Sequence, residues 1–145
     1  MKLLDANILL YAYNADSPHH VAARTWLEEA FNAEEPIGLP WQSVLAFVRI
    51  TTNARAVRRP LTGTQACDIV HEWLARPNIT TIEAGGRFWD FFREYMTEAK
   101  VNGPLVSDAA LAALTLEQGA TLYSTDKDFR RFRGLRLVDP LQESH

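Results

Sequence analysis

Short strand-like segments alternate with longer amphipathic segments along nearly the whole chain of 145 residues. The strand-like segments are KLL at residues 2–4, PIGLP, NITTIEAG, ATLYST and LRLVDP. Strands that alternate with helices are typical of an α/β fold, in which helices cover both faces of a mostly parallel sheet. We therefore predict a three-layer α/β/α sandwich with a short β-sheet.

The intervening segments carry apolar residues at helical spacing. We predict helices over residues 7–14, from a cap at Asp16 or Ser17 onward, over WQSVLAFVRITTN, over Thr64–Ala75, over Arg87–Lys100, and over SDAALAALTLEQG with Gly119 as its C-terminal cap. The stretch DKDFRRFRG is predicted to be a polar loop. We expect core positions for Val21 in the second helix, for Cys67, and for the tryptophans at 26, 41, 73 and 89. A stacking platform for nucleic-acid bases is the second interpretation of the tryptophans.

Composition limits the class of protein. A formal net charge of −3 gives no global signature of nucleic-acid binding, so contact with a polyanion needs a local basic patch or metal ions. A single cysteine excludes an internal disulfide framework and a cysteine-rich zinc site. The first residues do not resemble a secretion signal, and no apolar stretch approaches the ~20 residues of a membrane span. We expect one cytoplasmic domain over residues 1–145, with no membrane contact.

Acidic residues follow two of the predicted strands and open one of the helices. Asp5 comes directly after KLL, Asp126 and Asp128 come directly after ATLYST, and Asp108 opens the helix that leads into ATLYST. In an open parallel sheet, ligands bind at the carboxyl ends of the strands, where the strand order reverses. We therefore expect these acids to meet at one edge of the sheet.

Each acid also has a structural explanation. Asp5 can cap the helix that follows it, Asp108 is a favourable residue in a first helical turn, and STDKD is a good turn sequence. Carboxylates that gather at one edge repel one another unless a cation lies between them. A hard divalent cation such as Mg²⁺ typically binds one or two carboxylates and keeps several waters, which leaves positions for phosphate oxygens. Such a site can activate water and stabilise charge on a phosphodiester.

Three stretches of the chain together resemble a known family. DANILLYA, SDAALAALTLEQGATL and STDKDF resemble the PIN domain, and more specifically the VapC-type toxin ribonucleases of bacterial toxin–antitoxin pairs. The resemblance extends over nearly the whole chain. It implies a PIN-like fold and an endoribonuclease that depends on Mg²⁺, with Mn²⁺ as an alternative, and that cleaves RNA without a protein nucleophile.

The resemblance also implies roles for individual residues. Its acidic cluster falls on Asp5, Asp108 and Asp126 as catalytic residues and metal ligands, with Asp128 as a further ligand. Asn7 falls on a polar residue that orients the first carboxylate, and Ser124 and Thr125 match small hydroxylic residues beside the cluster. A homodimer and a VapB-like antitoxin, held in a groove by an amphipathic arm, are the partners that the resemblance implies.

One position departs from the family pattern. A glutamate is usual in the helix after the second strand, but here that stretch reads LAFVRI, and Ala46 stands at the aligned position. No acid occurs between Glu35 and Asp68. Four side chains are conceivable replacements, either as a ligand or as the holder of a bound water: Gln42, Ser43, Glu94 and Glu98.

The arginines offer contacts for RNA phosphates. Arg130 and Arg131 follow Asp128 directly, and Arg49 begins a basic stretch that continues with Arg55, Arg58 and Arg59. A solvated charged surface is the other interpretation of each. Two further functions stay open: a catalytically weakened PIN domain that binds RNA or protein, encouraged by Ala46, and a receiver-like phosphoacceptor domain. The second usually needs paired acids after the first strand, where Asp5 stands alone.

Overall fold

The computed structural model describes residues 1–142 of the chain. The strands are β1 (Lys2–Leu4), β2 (Ile37–Pro40), β3 (Ile79–Ile82), β4 (Thr121–Tyr123) and β5 (Leu137–Val138). The α-helices are α1 (Ala6–Tyr13), α2 (His20–Asn32), α3 (Trp41–Thr51), α4 (Gly63–Leu74), α5 (Phe88–Glu98) and α6 (Val106–Glu117). Short 3₁₀ helices cover Gly103–Leu105 and Lys127–Arg131.

All five strands pair in parallel, in the order β3-β2-β1-β4-β5. The chain builds outward from β1 to β2 and β3, and then crosses back to place β4 on the other side of β1. Leu3 is therefore paired with Gly38 of β2 on one side and with Leu122 of β4 on the other. The strand order reverses between β1 and β4, and this is the position at which open α/β sheets bind ligands.

Helices cover both faces of the sheet, because successive side chains of a strand point to opposite faces. Leu4 and Leu39 pack beneath α1 to α4 with Phe47 and Trp73, and all four side chains are buried. Leu3 and Leu122 belong to a second buried cluster with residues of α5 and α6. The predicted three-layer α/β/α arrangement is thus confirmed, and Gly119 adopts a positive φ of 60° just beyond α6, as expected of a C-terminal cap.

Several expectations for the core were wrong. In α2, Ala23, Leu27, Ala30 and Phe31 define the buried face, and Val21 lies two residues before Ala23, on the opposite side, with 76% of its surface exposed. Cys67 is exposed because the buried face of α4 runs through Ala66, Val70 and Trp73. Among the tryptophans, those at 41 and 89 are 40% and 63% exposed.

The segment after β4 is also more ordered than predicted. Instead of a polar loop, Lys127–Arg131 forms a 3₁₀ helix that Asp126 caps. Phe129 and Phe132 are buried within this segment and pack on the α5–α6 side of the sheet. The two phenylalanines anchor the backbone on either side of the charged residues. None of the helices within residues 1–142 has the length and hydropathy needed to cross a bilayer.

Candidate active site

Asp5 lies at the carboxyl end of the central strand. Its backbone N–H donates to the carbonyl of Tyr123, 3.0 Å away, which extends the β1–β4 pairing by one residue. Its side chain caps α1, since Oδ1 accepts a hydrogen bond of 2.8 Å from the N–H of Ala6. The capping explanation for Asp5 is therefore correct, but it occupies only one of the two carboxylate oxygens.

Ser124 connects Asp5 to the end of β4. Its Oγ donates to Oδ2 of Asp5 at 2.7 Å, and accepts from Nδ2 of Asn7 at 3.2 Å and from the N–H of Asp126 at 3.0 Å. A hydroxyl has one hydrogen to donate and two lone pairs to accept with, so these three bonds use its whole capacity. Ser124 is 1% exposed, and this buried hydroxyl fixes the relative positions of the two strand ends.

Asn7 contacts the neighbours of the Asp5 carboxylate and not the carboxylate itself. Its amide donates to the hydroxyls of Ser124 and Thr125, the latter at 2.9 Å, and no hydrogen bond to Asp5 is present among the described residues. Among these contacts, Asn7 is therefore connected to Asp5 only through Ser124. The amide oxygen Oδ1 of Asn7 is buried and has no protein partner within residues 1–142.

Asp126 and Asp128 are set by a tight turn. Oδ1 of Asp126 accepts the N–H of Asp128 at 2.8 Å, which caps the 3₁₀ helix. Asp128 is exposed, and its Oδ1 lies 3.8 Å from the guanidinium of Arg131. The turn explanation for these two acids is thus also correct, and it places both side chains at the edge where β4 ends.

Asp108 comes to the same edge from the first turn of α6. Oxygen atoms of Asp108, Asp126 and Asp128 lie within 4.8 Å of one another. Asp5 is outside this group of three, but its charge acts on Asp108 and the charge of Asp126 acts on Asp5. Four carboxylates from three separate stretches of the chain therefore share one region, as the strand ends predicted.

The pKa values of two of these acids show that their ionised forms are unfavourable in this arrangement. Partial burial, with the charges of Asp126, Asp5 and Asp128, raises the pKa of Asp108 to about 6, although Arg131 opposes the effect. Burial also raises the pKa of Asp5, and hydrogen bonds from Ser124 and Ala6 offset part of that rise. The carboxylates thus repel one another in the protein alone, and a cation among them would relieve the repulsion.

The donors fit a hard divalent cation. Every side chain of the close group Asp108, Asp126 and Asp128 offers a carboxylate oxygen, a donor that suits Mg²⁺ or Mn²⁺ and not a soft metal. The exposed position of Asp128 and the partial exposure of Asp108 leave room for water and for substrate oxygens. The unpartnered Oδ1 of Asn7 adds a buried acceptor beside the hydroxyls of Ser124 and Thr125.

The first turn of α3 borders the site but brings no acid. Ser43 is buried, and its hydroxyl donates to the carbonyl of Leu4 at 2.7 Å. Gln42 donates to the carbonyl of Ser107 at 3.2 Å, one residue before Asp108. Ala46 follows one turn later and is half-buried. Ser43 is therefore committed to the backbone, and neither it nor Gln42 replaces the missing glutamate as an anionic ligand.

The remaining charged candidates have separate positions. Glu98 lies 3.6 Å from the guanidinium of Arg133, and neither Glu98 nor Glu94 belongs to the cluster of close carboxylates. Arg130 lines a cavity of about 100 Å³ with Lys127 and Asp126, next to the site. Arg131 contacts Asp128, and Arg49 is exposed near the end of α3. The structure thus brings Arg130 and Arg131 close to the acids.

Comparison with known proteins identifies the class. Residues 2–135 match the PIN domain model, and the chain belongs to the PIN domain family. Within that family it groups with the VapC proteins. It is 39% identical over 140 residues to Ribonuclease VapC37 of Mycobacterium tuberculosis, covering 97% of both chains. It is 36% identical over 143 residues to Ribonuclease VapC33 of the same species, covering 99% of this chain and 100% of the relative.

Solved structures share the fold. VapBC-1 from nontypeable Haemophilus influenzae aligns with a TM-score of 0.73 at 14% identity, over 97% of this chain and 98% of the other. VapBC2 from Rickettsia felis, bound to a promoter DNA fragment, gives 0.70 at 19% identity over 94% and 96%. Mycobacterium tuberculosis VapC20, described as a toxin that cleaves the sarcin–ricin loop, gives 0.67 at 14% identity over 94% and 99%.

Proposed function

We propose that this protein is a VapC-type toxin, an endoribonuclease that hydrolyses RNA phosphodiesters with the help of a divalent cation. The observation that carries the proposal is the convergence of Asp5, Asp108 and Asp126 at the β1–β4 edge, in a chain that belongs to the family of the VapC ribonucleases. Three carboxylates from three segments, with two pKa values raised, suit a cation site better than three unrelated turns and caps.

Asp5, Asp108, Asp126 and Asp128 are the residues that would hold the ion, and Mg²⁺ is the ion we propose, with Mn²⁺ as an alternative. When bound, such a cation makes water a better nucleophile at neutral pH and stabilises charge on the phosphate. The protein supplies no nucleophile of its own in this proposal. The support lies in the all-oxygen donor set and in the mutual repulsion of the acids.

The chain's own contribution is to orient the carboxylates. Ser124 holds one oxygen of Asp5 and the N–H of Ala6 holds the other, so this side chain is fixed before substrate arrives. Asn7 supports Ser124, and Thr125 supports Asn7. Without a cation, burial and the neighbouring acids raise the pKa of Asp108 to about 6, and a cation among these acids would favour its ionised form.

Arginines near the site are proposed to bind the RNA backbone. Arg130 and Arg131 follow the last acids directly, and Arg49 lies on the exposed side of α3. A guanidinium suits phosphate because its planar fork can form two parallel hydrogen bonds. The formal charge of −3 makes such local cations the main source of affinity for RNA besides the bound metal.

We also propose a VapB-like antitoxin as the partner, a homodimer as the assembly and the cytoplasm as the location. Support for the partner comes from fold neighbours that are VapBC complexes and from VapC relatives at 36–39% identity. Residues 1–145 are proposed to form a single PIN domain, because the family match spans residues 2–135; the last three residues lie outside the described part of the chain.

A weakened catalyst is the second candidate. The specific observation in its favour is Ala46, which leaves the side of α3 next to Gln42 and Ser107 without an acid. In that case the domain would bind RNA or a protein without efficient cleavage. Asp128, which has an oxygen atom close to those of Asp108 and Asp126, is the residue most able to complete the ligand set instead.

Induced expression in a bacterial host, with mapping of new RNA ends, tests the proposal. Wild-type protein is expected to arrest growth and to generate discrete RNA ends, whereas Asp126→Asn should do neither at equal protein level. Asp68→Asn, an exposed acid on α4, is the matched control and should behave as wild type. Arrest without new RNA ends, or arrest retained by Asp126→Asn, would contradict the proposed function.

A further inference from the structure

The first turn of α3 contacts the backbone next to two of the clustered acids, Asp5 and Asp108. Gln42 binds the carbonyl that precedes Asp108, and Ser43 binds the carbonyl that precedes Asp5. These two hydrogen bonds fix the helix start between two of the acids. Trp41 is the first residue of this helix and immediately precedes Gln42.

Trp41 differs from the other three tryptophans in its contacts with aromatic rings. Trp26 stacks on Tyr123 at 5.4 Å, Trp73 packs on Phe47 at 4.7 Å, and Trp89 contacts Phe92 at 5.6 Å. No aromatic ring pairs with Trp41 in the part of the chain that the structure describes. The residue is 40% exposed, so part of this large apolar side chain is in contact with solvent beside a polar site.

The exposed surface continues along α3. Leu45 lies one turn after Trp41 and is 60% exposed, and Arg49 lies one turn further and is exposed. Residues four apart share a helix face, so the three side chains form one stripe that leads away from the acids. We call Trp41, Leu45 and Arg49 the α3 stripe.

The segment of the chain that contains the α3 stripe carries positive charges and no negative ones. No acid occurs between Glu35 and Asp68, and the loop that follows α3 adds Arg55, Arg58 and Arg59. Arg49 has no ion-pair partner within residues 1–142. A polyanion that leaves the acidic site along α3 therefore meets cations and no carboxylate of this segment.

We propose that the α3 stripe binds single-stranded RNA next to the cleavage site, with one unpaired base stacked on Trp41 and a backbone phosphate on Arg49. This inference rests on the proposed ribonuclease function. An open indole followed by a cation is the combination that single-strand binding proteins use, because every base offers a π-face and every nucleotide a phosphate. Trp41 would then select substrates with an unstacked base beside the scissile bond.

Binding of two RNA probes of equal length tests the inference. One probe is a short fluorescent oligoadenylate, and the other has the same ribose–phosphate backbone without bases. Affinities are measured by anisotropy with Ca²⁺ in place of Mg²⁺, and gels check that the probes stay intact. We expect Trp41→Ala to lose about tenfold in affinity for oligoadenylate and little for the abasic probe, while Trp41→Phe retains most of the affinity.

Two further variants separate the alternatives. Trp89→Ala, which removes an exposed tryptophan on α5, is the matched control and should bind both probes as wild type does. Arg49→Ala should weaken both probes equally, because a phosphate contact does not depend on bases. Equal affinity of Trp41→Ala and wild type for oligoadenylate overturns the inference. So does a Trp41→Ala protein that becomes monomeric with unchanged RNA affinity, which would make the stripe a contact between copies.

Cleavage kinetics separate this inference from the proposed function. If wild type cleaves RNA with Mg²⁺ and Trp41→Ala has the same KM, kcat and cleavage pattern, the inference about the α3 stripe is refuted and the proposed nuclease function stands. If wild type neither binds nor cleaves RNA, both the proposed function and the inference about the α3 stripe are refuted. The α3 stripe predicts that Trp41→Ala has a raised KM with little change in kcat. It also predicts that the variant is less selective in its cleavage position.

Discussion

The hydroxyl of Ser124 donates to Oδ2 of Asp5 at 2.7 Å across 119 positions of sequence. This bond joins the end of β1 to the end of β4, at the point where the strand order reverses. It also explains why a serine rather than a larger residue follows Tyr123, since the side chain is buried between two strand ends. The bond orients one carboxylate of the proposed metal site.

Ser124→Ala is predicted to weaken the site without unfolding the protein. The hydrogen bond from Ser124 lowers the pKa of Asp5, so its loss should raise that pKa further and make the ionised form harder to reach. Removal of a residue that orients a metal ligand typically costs about ten- to a hundredfold in metal affinity or activity. The measurement is the pH dependence of kcat/KM, whose acidic limb should move to higher pH.

Thr125→Ala is the control for this variant. Thr125 accepts a hydrogen bond from Asn7 and makes none to Asp5 within the described residues, so the acidic limb should move less. A Ser124→Ala profile that superimposes on that of wild type would show that Ser124 does not tune Asp5.

The stability of the metal-free protein should fall as pH rises through the range of Asp108. The pKa of this group is 3.8 in an ordinary context and about 6 in the fold, so between these values the folded state binds more protons than the unfolded state. The free energy of unfolding therefore decreases with pH across that window, and the penalty is complete above it. Asp108→Asn should remove this part of the slope.

Thermal unfolding in chelator is the corresponding measurement. Asp108→Asn is expected to have a higher Tm than wild type near neutral pH, and the difference should vanish at a pH below about 4. Asp68→Asn, an exposed acid of α4, should show no such trend. If Asp108→Asn proves less stable than wild type at neutral pH in chelator, burial and neighbouring charge do not destabilise the ionised form of Asp108 as described.

Ala46→Glu should increase affinity for the cation. Gln42, one turn earlier on α3, donates to the carbonyl of the residue before Asp108, so we expect a carboxylate at position 46 to approach the cluster. An additional anionic ligand strengthens a hard-cation site. Titration with Mn²⁺, followed by the shift of Tm, measures the gain. Leu45→Glu adds the same charge one position away, on an exposed side of α3, and should increase the affinity for the cation only slightly. Equal gains for both variants would mean that only net charge matters.

Gly38→Ala is predicted to destabilise the sheet. A Cβ at this position of β2 would lie 2.8 Å from Cγ1 of Ile82 and 3.0 Å from Cδ1 of Leu3. Overpacking of this kind typically costs about 1–3 kcal/mol. Urea unfolding should show the loss, with Gly63→Ala as control, because a Cβ at the start of α4 meets nothing within 4 Å. An unchanged midpoint for Gly38→Ala would mean that the side chains of Ile82 and Leu3 can shift to make room for the methyl group.

The sequence was sufficient for the architecture and for the location of the acids. Strands that alternate with helices leave few arrangements other than a parallel sheet, and the carboxyl ends of such strands share one edge. Asp5 and Asp126 could be placed there because each directly follows a strand, and Asp108 because its helix feeds β4. Those inferences depend on local order along the chain and require no knowledge of side-chain contacts.

The parts that failed depend on tertiary contacts. Periodicity does not say which of two adjacent helix positions is buried, so Cys67 was misplaced by one position relative to Ala66. Apolar content alone also suggested a core position for Trp41, which instead lies exposed at the start of α3. The central place of Ser124 could not be inferred, because its three partners lie just after β1, on α1 and in the turn after β4.

Cleavage of a mixed panel of tRNA and structured RNA by purified protein tests the central claim most directly. Reactions run with Mg²⁺, with Mn²⁺ and with chelator, and Asp5→Asn protein is prepared identically to reveal contaminating ribonucleases. This variant should fold, because an asparagine oxygen can still cap α1 at the N–H of Ala6. The account predicts cutting that needs the cation and is lost in Asp5→Asn. Equal cutting by both proteins, or cutting that persists in chelator, would contradict it.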